Sequence, residues 1–242
     1  MTDLNKLTAA NAARWAAMTI TPSLASVVDK GARRLVDAAA KARYVAVSAK
    51  TNVPWAVIAV IHARESSQNW KASLAQGDPW NEVSRHVPKG RGPFASWEDA
   101  AMDALVACAP KAATWHDWTP GGTMTLLEQY NGLGYAAKGL PSPYIWASTD
   151  QYVKGKYVSD GVFNPNEVDH QLGCAALLSR MIALDPTIRF AGQPAATPPP
   201  VAPPAPVATP PEIPATDAHP DGFWSEAGST LAGIFHDFVH LR

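Results

Sequence analysis

Apolar residues recur at helical spacing along most of the first 190 positions. After Thr21-Pro22, where proline suits a first helical position, Leu24, Val27, Val28, Leu35, Val36 and Ala39 form one such stripe. Pro54 opens another helix that runs to about Ser66. Ser96-Trp97-Glu98-Asp99 has the form of a capping box and predicts a helix through Ala101 and Leu105 to Pro110. Further helices are expected over about 124–132 and 166–184, the last ending before Pro186. Between them, the segment from Trp70 to Pro93 is rich in Gly, Pro and charge and predicts a short hairpin or irregular turns. A connection of that length is a candidate functional loop. The pattern predicts a mainly α (α+β) fold, helical with one small hairpin or irregular loop.

The pattern changes near residue 191. Residues 194–220 hold half of the 22 prolines, interleaved with Ala, Val and Thr, which fits an extended polyproline spacer. Beyond it, Phe223, Trp224, Ala227, Leu231, Ile234, Phe235, Phe238 and Leu241 return to helical period. The organisation expected is a domain over 1–191 with N-terminal helices in 1–51, a Pro-rich linker over 192–220, and an amphipathic helix over 221–242. That helix can dock on the domain, bind a partner protein or lie at a membrane interface. Arg242 is its only Lys or Arg, which weakens attraction to anionic lipid.

Composition narrows the function classes. A formal net charge of -1 excludes a nucleic-acid binder driven by bulk phosphate attraction. Nine tryptophans suit stacking on sugar rings as well as core packing. Cys108 and Cys174 lie in apolar helical patterns and read as buried thiols, with a single disulfide the alternative. The N-terminal residues carry no apolar segment of a secretory signal, and no apolar run reaches the length of a membrane span. His236 and His240 stand at i, i+4, but no further ligand lies at metal spacing, so neither a metal nor an organic cofactor is expected.

The candidate chemistry centres on Glu65. Trp55, Ile58, Ile61, His62 and Glu65 share one stripe of the 54–66 helix, which puts the carboxyl at the C-terminal end of an apolar face. Desolvation and the negative end of the helix dipole both favour its protonated form there, as a general acid requires. The same position also suits a carboxylate paired with Arg64 or Lys71.

The residues that follow carry a resemblance. His62-Ala63-Arg64-Glu65-Ser66-Ser67 resembles the helix-end Glu-Ser of goose-type lysozymes and lytic transglycosylases, and Tyr130-Asn131-Gly132 resembles their Tyr-Asn element. The order Glu65, Asp78, Ser84 resembles the Glu–Asp–Thr triad of phage-type lysozymes, with a longer first interval and Ser for Thr. The segments Gly77-Asp78-Pro79, His86-Val87-Pro88-Lys89-Gly90-Arg91-Gly92, Ser142-Pro143-Tyr144-Ile145-Trp146 and Gly155-Lys156-Tyr157-Val158 fit the same lysozyme-like wall hydrolases.

The resemblance implies a peptidoglycan-cleaving muramidase of endolysin type, acting on glycan strands as a monomer without a cofactor. Glu65 would protonate the leaving oxygen, while Asp78 and Ser84 orient water or stabilise positive charge. Trp80, His86, Tyr130, Asn131, Tyr144 and Trp146 would contact the saccharide; the alternatives are loop anchors for Trp80, Tyr144 and Trp146, a helix-end cap at Asn131-Gly132, and an incidental polar loop residue for His86. If Asp78 points elsewhere, a lone Glu65 fits a lytic transglycosylase, and a non-catalytic wall-binding module is the alternative from another class. Synthesis in a host cytoplasm followed by holin-type release to the wall would fit the absence of a signal peptide.

Overall fold

The computed structural model describes residues 2–75, 77–159 and 161–192. The expected linker beyond 192 and the 221–242 helix, with His236 and His240, lie outside the described residues. Within them the protein is mainly helical, with nine α-helices and one antiparallel two-strand hairpin. The helices are α1 Leu4–Ala17, α2 Ala25–Val36, α3 Ala38–Thr51, α4 Trp55–Ser66, α5 Trp97–Val106, α6 Pro120–Asn131, α7 Gly134–Ala137, α8 Pro143–Trp146 and α9 Cys174–Leu184. The hairpin pairs β1 Lys156–Ser159 with β2 Val162–Asn164.

α4 is the hub. Ala56, Val57, Ile58, Ala59, Val60 and Ile61 are all buried, so the helix is covered on every side along its first two turns. α2, α3 and α9 pack on it, while α6 and α8 extend the same core. Side-chain caps set the boundaries. The Asp37 carboxylate accepts from the amides of Ala39 and Ala40, and its extended backbone splits the stripe read as one helix over 22–39 into α2 and α3. Ser96 accepts from the Asp99 amide as the capping box requires, but α5 stops at Val106, short of Pro110.

Two starts differ from the pattern. α6 begins at Pro120, four residues early, because Thr119 accepts from the Gly122 amide and proline takes the first helical position. α9 begins at Cys174 rather than near 166. Asp169 is drawn inward to Arg64, and Gly173 lies so close to the carbonyls of Ile145 and Ala147 that an added Cβ would meet them at 2.5 and 2.4 Å. The 70–93 segment forms irregular turns around one isolated bridge, Ala72–Pro79; the hairpin lies later in the chain. Both cysteines are free and buried.

α1 packs on α6 through a polar seam. Buried Asn11 donates to the Thr125 hydroxyl at 3.2 Å, and Thr8 donates to it at 3.1 Å. Glu128 is buried in α6, and neither its Oε1 nor Asn11 Oδ1 has a hydrogen-bond partner among the described residues. Burial pushes the Glu128 carboxyl up to about 7, against the smaller opposing effects of Asn11, Arg14 and the Ala136 backbone.

An aromatic cluster joins α3, α4 and α5 to the start of the 70–93 loop. Trp70 lies 4.6 Å from Trp97 and from His62, and Tyr44 completes the group at 5.7 Å from Trp97. The Arg43 guanidinium sits 4.1 Å over Trp70 and pairs with Glu98. His62 is held between the Tyr44 hydroxyl at Nδ1 and the Asn69 carbonyl at Nε2. Burial depresses its pKa to about 4, so the ring is neutral, donating from Nε2 and accepting at Nδ1.

Candidate active site

Glu65 emerges in the last turn of α4, where the buried helix reaches the surface. Ser67 ends that helix in the left-handed region, with its amide donating to the carbonyls of Ala63 and His62. The Glu65 side chain is half-buried. Burial raises its carboxyl to about 7, outweighing the Tyr144 hydrogen bond and the Arg64 charge, which both favour ionisation. Tyr144 Oη donates to Oε1 at 2.8 Å. Oε2 has no hydrogen bond among the described residues, which leaves it to carry a transferable proton.

Arg64 and Lys71 do not form ion pairs with this carboxyl. Arg64 turns into the core and pairs with Asp169 at 2.9 Å, their side chains only 6% and 4% exposed. Its guanidinium also lies 4.9 Å over the Tyr144 ring and donates to the Leu172 carbonyl. Burial would raise the Asp169 carboxyl, but Arg64, the Gln171 amide and Lys156 hold it below the usual carboxylate range. The ion pair therefore forms a rigid floor under Tyr144, and Tyr144 in turn fixes one oxygen of Glu65. Tyr130 is buried beside this group: its hydroxyl donates to the Leu74 carbonyl at 3.1 Å, and the Glu65 charge reaches it.

Asp78 and Ser84 are brought together with each other's loop rather than with Glu65. One Asp78 oxygen accepts from the amides of Arg85 and His86 at 2.8 and 2.9 Å, and the other meets His86 Nδ1 at 2.6 Å. Burial would raise this carboxyl, but the His86 and Arg85 contacts hold it below its ordinary value. Ser84 Oγ donates to the Pro88 carbonyl and accepts from the Arg91 amide, both at 2.8 Å. No hydrogen bond or ion pair among the described residues joins either of them to Glu65.

The remaining sequence candidates separate by exposure. His86 is half-exposed and braces Asp78. Trp80 is half-buried, with Nε1 donating to the Trp70 carbonyl at 2.8 Å. Asn131 is half-buried and donates to Ser142 Oγ at 3.4 Å. Tyr144 is buried and donates to Glu65 Oε1, which makes it an anchor between α8 and α4. Trp146 is fully buried, so no face of its ring is open to a saccharide.

Arg64 and Asp169 are the site residues that pattern reading missed in role. Their pairing spans 105 positions, and the only local signal was an arginine in the last turn of a mostly apolar helix. No cluster of three or more potential metal ligands occurs among the described residues. Comparison with known protein families, with curated proteins and with solved structures returned no match.

Proposed function

We propose that this protein cleaves the glycan strands of peptidoglycan at the β-1,4 bond after N-acetylmuramate, with Glu65 as general acid. The observation that carries the reading is a carboxyl raised to about 7, anchored through one oxygen by Tyr144 and without a hydrogen bond at the other among the described residues. The proton passes from Oε2 to the glycosidic oxygen as the bond from the anomeric carbon breaks. The incoming hydroxyl then bonds to that carbon and returns its proton to the Glu65 carboxylate.

Two acceptors fit this step: water, as in a muramidase, or the 6-hydroxyl of the same muramate, as in a lytic transglycosylase. The engagement of Asp78 by three donors favours the second. A carboxylate so saturated is a weak base, and a lone Glu65 suffices when the acceptor belongs to the substrate.

Mass spectrometry of muropeptides released from purified sacculi tests both readings. Reducing muramate ends indicate hydrolysis, and 1,6-anhydro ends indicate transglycosylation. Absence of any release returns the protein to the wall-binding alternative. Glu65→Gln is expected to lower release by about 100- to 10,000-fold; unchanged release in that variant would remove Glu65 from the chemistry.

A further inference from the structure

The chain that leaves the catalytic helix forms one wall of an open groove of about 880 Å³ against α2 and α3. It is lined by Gln68 and Trp70 from that segment and by Lys30, Arg33, Arg34 and Arg43 from α2 and α3. Its two acids are already engaged. Asp29 pairs with Arg33 and with Arg180, and Asp37 caps α3. Arg43 is matched by Glu98.

Lys30 and Arg34 therefore face the groove without an acidic partner among the described residues, and Arg34 makes only a 3.4 Å bond to the Ser67 carbonyl. They stand at i, i+4 on α2, where like charges repel and destabilise the helix.

We propose that this groove binds the carboxylates of peptidoglycan peptide stems, a substrate assignment that rests on the glycan-cleaving reading above. Gln68, in the groove wall, follows Glu65 by three positions in the chain. A strand lying over that acid carries stems on its muramate units, each rich in carboxylate. Arginine and lysine supply the fork and point-charge donors that carboxylates take. The groove thereby provides a local attraction that net charge does not.

The test is calorimetric titration of the full chain with a soluble stem tetrapeptide, with the same peptide amidated at its carboxylates, and with inorganic polyphosphate. The tetrapeptide is expected to bind in a salt-sensitive manner, with the amidated form and the Lys30→Glu/Arg34→Glu variant at least about tenfold weaker. Lys30→Met/Arg34→Met, checked for unchanged thermal unfolding, guards against misfolding of the reversed variant and should bind at intermediate strength.

Equal binding by the variants, equal binding of the amidated peptide, or no binding of the tetrapeptide overturns the proposal. Preference for polyphosphate overturns it in favour of a phosphate-bearing wall polymer. Digestion separates the two readings. Stem binding without cleavage of sacculi would sink the function proposed above, whereas cleavage without stem binding would sink only this groove.

Discussion

The two oxygens of Glu65 stand in different surroundings. Oε1 takes the Tyr144 hydroxyl, and Oε2 has no hydrogen bond among the described residues, so a single proton has a defined seat. Tyr144 stabilises the ionised form, which sets the sign of its removal. In Tyr144→Phe the Glu65 pKa should rise above its present value of about 7, and the basic limb of the pH profile of the proposed cleavage should move to higher pH. A limb that stays put or moves down would show that Tyr144 does not touch the acid. Beneath it, the Arg64–Asp169 pair is buried. Arg64→Met leaves the buried Asp169 carboxylate with Lys156, at 3.9 Å, in place of its 2.9 Å guanidinium partner and should cost about 3 kcal/mol in chemical denaturation. Adding Asp169→Leu should recover most of that loss, because the expensive species is the buried charge.

At the scale of elements, α1 and α4 are opposites. α4 is held by apolar contact on all sides, whereas the α1–α6 contact is polar and contains a carboxyl with one oxygen lacking a hydrogen bond among the described residues. The raised Glu128 pKa means that the folded state keeps a proton the unfolded chain releases. Its contribution to stability is full below about pH 4.5 and falls as pH rises to about 7. Glu128→Gln should therefore gain stability relative to the parent across that window, by up to about 3 kcal/mol, in thermal unfolding at stepped pH. A gap between the two proteins that does not change with pH would refute the assignment.

The same contrast explains which elements were legible in the sequence. α4, the start of α5 and the ends of α6 and α9 follow from apolar spacing and caps that act within four residues. The start of α9 did not, because Asp169 answers to Arg64 across the fold and Gly173 to two carbonyls of the α8 region. The site divided in the same way. The position of Glu65 on its helix was readable, but the tie of Tyr144 to it and the internal use of Asp78 depend on loops whose hydrogen bonds leave no periodic trace.

Over the whole molecule the titrations compete. Glu65 and Glu128 lose their folded-state advantage as pH climbs from about 4.5 to 7. His62 works the other way: its depressed pKa means the unfolded chain binds protons first, so stability is lost as pH falls from 6.5 to about 4. The lowered carboxyls of Asp78, Asp169 and Asp185 add a loss as pH falls below their ordinary value of 3.8. The sum places maximum thermal stability near about pH 5. In Glu65→Gln/Glu128→Gln the maximum should move above about pH 6.5, since only the opposing terms remain. An unmoved maximum would count against both raised carboxyls.

The cluster of Tyr44, His62, Trp70 and Trp97 gives the molecule an optical signature of its own. Two indoles held 4.6 Å apart at 73° couple their transitions and should produce a strong near-ultraviolet circular dichroism band. An imidazole in contact with both means that its protonation near pH 4 is reported as a change in tryptophan emission. That band should vanish in Trp70→Phe while the far-ultraviolet spectrum stays helical. Because Trp70 also lines the cationic groove, occupancy of the groove becomes visible by light alone, without a label.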